Sequence, residues 1–266
     1  MLPGVYLAYK KNKTAYYRAS ITYRNKHISL GSYELETTAH QAYLQALDIL
    51  SGAGITLSGL DTESGPLLFE KKIALLNFRN NHIYFKNPIY LKQNYFLYFI
   101  SPHDELKFDA DDLFYYSSHK IMRRKGHLFV CDYGMQVNIL SRYGIRNFAV
   151  AGRDYRFVNG DPSDFRYSNL EVINPYYGVM RILRQNTVQF KAQIHIAGNH
   201  VIGLYPTQEE AAVAYNKAVD TARYYGIQKN YFTNYIQELS PQEYARLYAK
   251  SSISAKLIAY LKDQAH

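Results

Sequence analysis

The chain has 266 residues, 47% of them hydrophobic, so it is long enough for two or three small domains and too apolar for general disorder. A formal net charge of +9 favours a polyanionic partner, and the single cysteine, Cys131, excludes an intrachain disulfide framework and a cysteine-rich zinc site. No apolar run is long enough to cross a membrane, and residues 1–4 do not begin a secretion signal, so no membrane partner is expected.

The N-terminal part of the chain predicts three short strands followed by a helix. Residues 5–10 form the first strand, and residues 16–24 alternate between two faces as a half-buried strand does. Residues 24–26 predict a hairpin turn, and a threonine cap, Thr37 or Thr38, predicts the start of the helix. Residues 4–32 carry six Lys or Arg and no Asp or Glu. An acid-free sheet suits contact with phosphate, and the alternative is a solvated face with arbitrary charge.

The same pattern returns about 170 residues later. The step from Gly203 to Tyr215 has the same 12 residues as the step from Gly31 to Tyr43. Residues 197–199 predict the second hairpin turn, and Thr207 with Glu210 predicts a capping box at the start of the second helix. The second copy again lacks acids, since residues 175–208 carry three Lys or Arg and no Asp or Glu. This recurrence favours a sheet that binds a polyanion over a face of arbitrary charge.

Between the copies, residues 56–66 are rich in Gly and Ser and predict a linker. Residues 120–130 predict a hairpin whose tip is basic. The tip residues are plausible phosphate contacts, and a solvated turn is an equally good interpretation; they are Arg123, Arg124 and Lys125.

Residues 156–170 contain the most informative motif of the chain. The motif has three parts, Val158-Asn159-Gly160-Asp161, then Asp164 and Arg166, then Ser168-Asn169-Leu170. These residues resemble the core of phage-type HNH homing endonucleases, which reads Val-Asp-His-Ile-Asn-Gly-Asn, a spacer, Asp-Asn-Arg, one residue and Ser-Asn-Leu.

The resemblance implies a degenerate nuclease centre. In it, the general-base histidine is replaced by Phe157, the metal-binding aspartate by Arg156 and a further family histidine by Val137, while Asn169 keeps the conserved asparagine. Phenylalanine cannot accept a proton and arginine cannot bind a cation, so no catalytic residue, metal or cofactor is expected. Arg156 would bind phosphate where the metal stood; the alternative is an ion pair with Asp154 or Asp164.

Both copies of the repeat resemble the DNA-binding domain of plant ethylene-response factors. The shared pattern is Gly-Val, an alternating Ala-x-Ile strand, Leu-Gly-x-aromatic or its equivalent, and an alanine-rich helix with a tyrosine. The resemblance implies that each sheet lies in a DNA major groove. This chain has Tyr6, Ala8, Met180 and Ile182 where the plant domains use arginine and tryptophan, so the family's base preference does not transfer. Lys191 and Gln193 can still read guanine and adenine.

The residues expected to contact DNA lie in both copies of the repeat and in the region between them. They are Tyr6, Lys10, Arg18, Ser20, Thr22, Arg24, His27, Arg123, Arg124, Lys125, Arg156, Arg181, Arg184, Lys191, Gln193 and His195.

The last 30 residues predict a C-terminal helix that begins with a capping box, Ser240 to Glu243, and proline at the first helical position. Its apolar stripe can cover its own domain or join a second chain in a homodimer.

The sequence therefore predicts an α+β protein in which two three-stranded antiparallel sheet-plus-helix DNA-binding domains flank a degenerate HNH (ββα-metal-like) domain. The expected divisions are a first sheet domain (1–55), a linker (56–66), the HNH-like domain (67–174), a second sheet domain (175–236) and the C-terminal helix (237–266). The expected function is sequence-specific binding of double-stranded DNA as a transcriptional regulator, in the cytoplasm and at the nucleoid if the source is a bacterium or phage. The alternatives are an HNH-type nuclease with rearranged ligands, built on Asp161, Asp164 and His127, and an RNA-binding or adaptor protein of a mobile element.

Overall fold

A computed structural model describes residues 1–52 and 54–264. The described part is a mixed α+β protein with five small antiparallel sheets and six α-helices. It divides into two compact units. The first comprises Met1–Ile139 with Asp161–Tyr167, and the second comprises Leu140–Gly160 with Ser168–His266.

The first unit opens with the predicted sheet and helix. The sheet is built from β1 (Val5–Tyr9), β2 (Ala15–Tyr23) and β3 (Lys26–Tyr33), in that order, and α1 (Glu36–Ser51) covers one of its faces. The helix buries small side chains at helical spacing, which allows it to lie close to the strands. These side chains are Ala39, Ala42 and Ala46.

The predicted hairpin is confirmed, but the predicted helix cap is wrong. Arg24 and Asn25 form a two-residue turn with φ of 46° and 61°, the left-handed region that such turns use. The helix begins at Glu36, and its N-cap, Leu35, makes no side-chain capping hydrogen bond. The chain leaves β3 and enters the helix within two residues, so Thr37 already lies in the first turn.

The rest of the first unit is a helix, two more sheets and a short helix. The elements are α2 (Phe69–Asn81), β4 (Ile89–Leu91), β5 (Tyr95–Ser101), β6 (Asp104–Asp109), α3 (Leu113–Ser118), β7 (Ile121–Arg124), β8 (His127–Asp132) and β9 (Met135–Asn138). Strands β4 to β6 form one sheet and β7 to β9 form the other. The predicted hairpin over residues 120–130 is β7 with β8.

The predicted linker over residues 56–66 has no helix or strand, but it is anchored to the first unit. Leu60 is buried in the same apolar cluster as the first sheet and α1. The side chain of Lys72 on α2 is 2% exposed, and its ammonium group donates to the carbonyls of Asp61 at 2.8 Å and Ser64 at 2.6 Å. A buried ammonium group is stable only when it donates hydrogen bonds, so Lys72 needs these two carbonyls. Its hydrogen bonds therefore hold the segment against α2. The predicted domain boundaries stay predictions.

The second unit contains a small two-stranded sheet, the second copy of the sheet and three helices. The elements are β10 (Tyr155–Phe157), β11 (Leu170–Val172), β12 (Val179–Arg184), β13 (Thr187–His195), β14 (Asn199–Tyr205), α4 (Gln208–Tyr224), α5 (Pro241–Lys250) and α6 (Ala255–Gln264). The predicted capping box at Ser240 is confirmed, and of the box predicted at Thr207 the structure has the hydrogen bond to the hydroxyl group. The Thr207 hydroxyl accepts the N–H of Glu210 at 3.2 Å, and Ser240 with Glu243 forms a capping box.

The predicted C-terminal helix is two helices, α5 and α6, separated by residues 251–254. Leu257 and Leu261 of α6 are buried in the same apolar cluster as α4, and Leu247 of α5 packs against that cluster. The apolar stripe of these helices therefore covers their own unit.

The two copies of the repeat share unusual backbone details. Gly4 and Gly178 both have a left-handed φ, 73° and 69°, and a β-carbon at either position would lie 2.1 Å from a ring atom of the helix tyrosine, Tyr43 or Tyr215. In each copy the third strand carries a bulge, at Leu30 in β3 opposite Ala19 and Ser20, and at Ile202 in β14 opposite Ala192 and Gln193. The two segments therefore fold alike.

A buried carboxylate holds the start of the second unit together. Asp154 is 1% exposed and accepts from Arg146 at 2.7 Å, from Arg153 at 2.7 Å and from the N–H of Val150 at 2.8 Å. Burial by itself would raise the pKa of Asp154. The hydrogen bond from Arg153, the hydrogen bond from Val150 and the charge of Arg146 outweigh this effect, so the pKa of Asp154 lies below its usual value.

We expect Asp154→Asn to lower the free energy of unfolding of the second unit by about 2 kcal/mol at neutral pH, because charge-assisted hydrogen bonds are lost. A carboxyl group whose pKa is lower in the folded state than in the unfolded state stabilises the fold. The full contribution is present above the unfolded-state pKa of about 4, and it is lost as the pH falls through the folded-state pKa. Urea unfolding from pH 7 to pH 2.5 measures this. The parent and the variant should converge at low pH, whereas the exposed control Asp263→Asn should follow the parent at every pH. An Asp154→Asn deficit that persists unchanged at pH 2.5 would contradict this account.

Candidate nucleic-acid interface

The first sheet presents a polar face on the side opposite α1. Ala19 and Ile21 of β2 are buried toward the helix, so the alternate residues of that strand face away from it. Strand pairing places Tyr6 beside Arg18 and Thr22 beside His27, and the Thr22 hydroxyl lies 3.4 Å from Nδ1 of His27. We call this the first outer face. It comprises Tyr6, Ala8, Tyr16, Arg18, Ser20, Thr22, His27, Ser29 and Ser32.

A shallow cavity of about 320 Å³ lies on this face. Its lining brings together four of the residues that the sequence predicts as DNA contacts, Tyr6, Arg18, Ser20 and His27. They supply a guanidinium, an imidazole and two hydroxyl groups, which are all groups that can bond to base edges or phosphate.

The two other predicted contacts of this sheet lie at its opposite ends. Lys10 follows the end of β1 and is exposed. Arg24 occupies the hairpin turn, where its guanidinium lies 5.5 Å from the ring centre of Tyr23 and contacts Nδ1 of His82. Lys10 and Arg24 therefore extend the basic surface beyond the strands.

The second sheet presents an outer face in the same way, on the side opposite α4. Strand pairing places Lys191 between Met180 and Leu204, and it places Gln193 beside Val201. His195 lies at the end of β13, where its Nδ1 is 3.0 Å from Oδ1 of Asn199. The second outer face comprises Met180, Ile182, Arg184, Thr187, Gln189, Lys191, Gln193, His195, Asn199, Val201 and Leu204.

Arg181 does not belong to the second outer face. It pairs with Phe190, which packs on the apolar cluster under α4, and it lines a cleft with Glu209 of that helix. Neighbouring residues of a strand point to opposite faces, so Arg181 points away from Lys191. Arg181 therefore does not share a face with Lys191, and its contact with DNA stays a prediction.

The basic hairpin of the first unit has one neutralised arginine and an exposed tip. Arg123 forms an ion pair with Asp104, including a hydrogen bond of 3.2 Å between Nη2 and Oδ1. Arg124 and Lys125 are exposed. Lys125 has a φ of 49° at the turn, so its side chain projects from the tip. The predicted phosphate contacts are thus better placed at Arg124 and Lys125 than at Arg123.

Among the positions of the degenerate nuclease centre, Val137 lies in the first unit on strand β9. The nuclease resemblance also implies a short helix over residues 137–144, and the structure has Val137 on a strand instead. The helical turn is a 3₁₀ turn that begins only at Ile139. Val137 pairs with Val130 of β8, and the pairing continues beyond it to Asn138, which pairs with Phe129.

The other degenerate positions lie in the second unit. Arg156 stands on β10 directly opposite Glu171 of β11, and its Nε lies 2.7 Å from Oε2 of that carboxylate. The ion pair is exposed on both sides, and it replaces the pairs with Asp154 or Asp164 that the sequence suggested. Because the partner is set by strand pairing, it could not be read from sequence distance.

Phe157 and Asn169 have structural contacts. The ring of Phe157 meets that of Tyr155 edge to face, with centres 5.8 Å apart. Asn169 is 4% exposed, and its side-chain oxygen accepts the N–H of Asn159 at 2.8 Å. This bond holds the turn at Asn159-Gly160, where Gly160 has a φ of 78°.

The carboxylates of the alternative nuclease have partners of their own in the first unit. Asp161 accepts from Lys107 at 3.0 Å, and hydrogen bonds from Ser163 and Lys107 lower its pKa to about 2. Asp164 accepts two hydrogen bonds from Arg166, at 2.8 and 2.6 Å. Within residues 1–52 and 54–264, no three or more His, Cys, Asp and Glu side chains form a group that could hold a metal ion.

Sequence reasoning missed the residues that the third strand adds to each outer face. Ser29 and Ser32 complete the first face, and Val201 and Leu204 complete the second. The bulge in the third strand, at Leu30 or Ile202, shifts the pairing by one residue, so alternation counted from the turn assigns the end of that strand to the wrong face. The only local signal was the repeated glycine at the bulge, Gly31 and Gly203.

Comparison of the chain with protein-family models, with curated proteins and with solved structures finds no match. No helix in the described part of the chain is long and apolar enough to cross a membrane.

Proposed function

We propose that the chain binds double-stranded DNA in a sequence-specific manner through its two outer faces and acts as a transcriptional regulator. One observation carries the proposal. In both copies of the repeat, a basic residue of the middle strand, Arg18 or Lys191, lies on the face opposite the helix. The surrounding segment contains no Asp or Glu in either copy. A duplicated sheet that keeps carboxylates off its exposed side is suited to a phosphate-rich surface.

The side chains of the outer faces match the chemistry of the major groove. The groove is about 12 Å wide and admits a β-ribbon, and each base pair presents there its own pattern of donors and acceptors. Arg18 can donate two hydrogen bonds to guanine. Gln193 can donate to N7 of adenine and accept from its amino group. The exposed hydroxyl group of Thr22 can bond to phosphate, which fixes register without reading sequence, whereas Ser20 is only 8% exposed.

The absence of cutting is part of the same proposal. Cleavage by an HNH-type centre needs a base that activates water and a metal that stabilises charge on the phosphate. Phe157 cannot accept a proton, and Arg156 carries a positive charge beside Glu171. Arginine cannot coordinate a metal ion, and the guanidinium of Arg156 is paired with Glu171 at 2.7 Å.

Selection from a random duplex library tests the function. We expect one enriched motif that is long and asymmetric, because two faces of different composition contribute to it. A plasmid that carries the motif should stay supercoiled in the presence of Mg²⁺ or Mn²⁺. Failure to enrich any duplex would replace the proposal by the RNA-binding or adaptor alternative. Cleavage that Asp161→Asn abolishes would replace it by the nuclease alternative.

The proposed mode of binding needs only one copy of the chain, because each copy carries both faces. It places the protein wherever the DNA is, in the cytoplasm or at the nucleoid of a bacterial or phage-infected cell.

A further inference from the structure

The two outer faces differ in one systematic way. At matching positions of the paired strands, the first face has Tyr6, Arg18 and Ser32 in one row, and the second face has Met180, Lys191 and Leu204. The next row changes in the same direction, from Ser20 with Ser29 to Gln193 with Val201. The second copy has therefore exchanged hydroxyl groups for aliphatic side chains around its central cation.

These aliphatic side chains are not part of a core. Val201 is 47% exposed and Leu204 is 39% exposed, while Ile202 between them is 1% exposed and packs toward α4. Met180 and Ile182 are half-buried on the same outer face. An amine and an amide are thus surrounded by four apolar side chains on a face that is otherwise open to solvent.

One surface of DNA offers the matching combination. In the major groove, an A·T pair shows the adenine N7 and amino group beside the thymine O4 and the thymine C5-methyl group. The methyl group is an exposed apolar feature of the major-groove edge. A face that combines Gln193 and Lys191 with Val201, Leu204 and Met180 can bond to the polar groups and cover the methyl groups.

We propose that the second sheet reads an A·T-rich half of the target through thymine methyl groups, whereas the first sheet reads its half through hydrogen bonds alone. This inference rests on the proposed function. The aliphatic side chains lie on one copy only, because the first face has no aliphatic residue larger than Ala8. The two halves of the target should therefore differ in base composition.

Charge selects DNA over a second copy of the chain as the occupant of this face. Two copies related by a twofold axis through the face would bring Lys191 toward Lys191, with Arg184 and His195 close by. No carboxylate between residues 175 and 208 could compensate this repulsion. A DNA groove compensates it with phosphates on both sides.

Replacement of thymine by deoxyuridine removes only the methyl group and tests the inference directly. The probe is the duplex selected by the intact chain, with deoxyuridine placed in one half at a time. The half read by the second sheet is identified by Lys191→Ala, which should relax base preference there. We expect the Kd for duplex binding to rise about fourfold for each contacted methyl group, the equivalent of ~0.8 kcal/mol of lost apolar burial. Substitution in the other half should change the Kd less than twofold.

A matched pair of variants assigns the effect to the aliphatic residues. Leu204→Ser introduces the residue found at the matching position of the first sheet, and it should lose the part of the sensitivity to deoxyuridine that Leu204 supplies, about fourfold in Kd for one methyl group. Ser32→Ala, its counterpart on the first sheet, should keep the full sensitivity of the parent chain. Thermal unfolding checks that both variants fold.

The outcomes separate the two proposals. If the chain enriches no duplex at all, the proposed function fails. If it binds its selected duplex with the same Kd after deoxyuridine replaces thymine in either half, the methyl-reading inference fails and the proposed function stands. If Leu204→Ser converts a dimer in solution to a monomer without changing DNA binding, the face is an interface between copies and the inference is overturned.

Discussion

A variant in which Arg18 and Lys191 are both replaced by alanine should bind the selected duplex at least about thirtyfold more weakly than the parent chain. Each cation stands in the middle strand of an outer face, where it is positioned to reach base edges. Loss of such a contact costs about 1–3 kcal/mol, and contributions from distant sites add, so the double variant should lose about 2–6 kcal/mol of binding free energy. Fluorescence anisotropy at one fixed salt concentration measures the change.

The control variant must also remove two positive charges, but from positions outside the two outer faces. Arg181→Ala combined with Arg223→Ala does so, because Arg181 lies on the helix side of the second sheet and Arg223 pairs with Asp220 at 3.5 Å on α4. We expect this control to lose less than threefold in affinity. Equal losses in the two double variants would mean that net charge drives binding, and the outer faces would then have no special role.

The repeat was the part of the fold most accessible from sequence. Alternation of apolar and polar residues, the turn at Arg24-Asn25 and the caps Thr207 and Ser240 each act over a few residues, and the structure has all of them. The cap of α1 was not predictable in this way. Thr37 is a good capping residue, but the close approach of β3 and α1 starts the helix before it.

Features that depend on pairing between distant segments could not be read from the chain. Glu171 is the partner of Arg156 because β10 and β11 align these two residues, although Asp154 is much closer in sequence. Arg181 is a different case, because alternation along β12 already separates it from Met180 and Ile182, and its pairing with Phe190 agrees with that position on the helix side. The Gly- and Ser-rich composition of residues 56–66 gave no indication of the buried ammonium group of Lys72 that binds this segment.

The duplicated glycine at the start of each copy provides the strongest test of the fold itself. Gly4 has a φ of 73°, and a β-carbon there would lie 2.1, 2.3 and 2.6 Å from Cδ2, Cγ and Cε2 of Tyr43. Those atoms belong to the body of a ring that packs between β1 and α1, so they cannot swing away as the end of a flexible side chain can. We expect Gly4→Ala to lower the free energy of unfolding of the first unit by roughly 3 kcal/mol, the sum of left-handed backbone strain and overpacking.

Two further variants separate these causes, and urea unfolding measures all of them. Gly126 has a φ of 81° with nothing within 4 Å of its β-carbon position, so Gly126→Ala should cost only the backbone strain, about 1 kcal/mol. In the Tyr43→Ala background the ring is gone, and Gly4→Ala should then cost about as little as Gly126→Ala. The double-mutant cycle of Gly4 and Tyr43 should therefore give a coupling energy of about 2 kcal/mol. Additive effects of the two substitutions would mean that the ring does not press on Gly4. The tyrosine at the matching position of each helix would then have no part in fixing the angle at which the first strand enters the sheet.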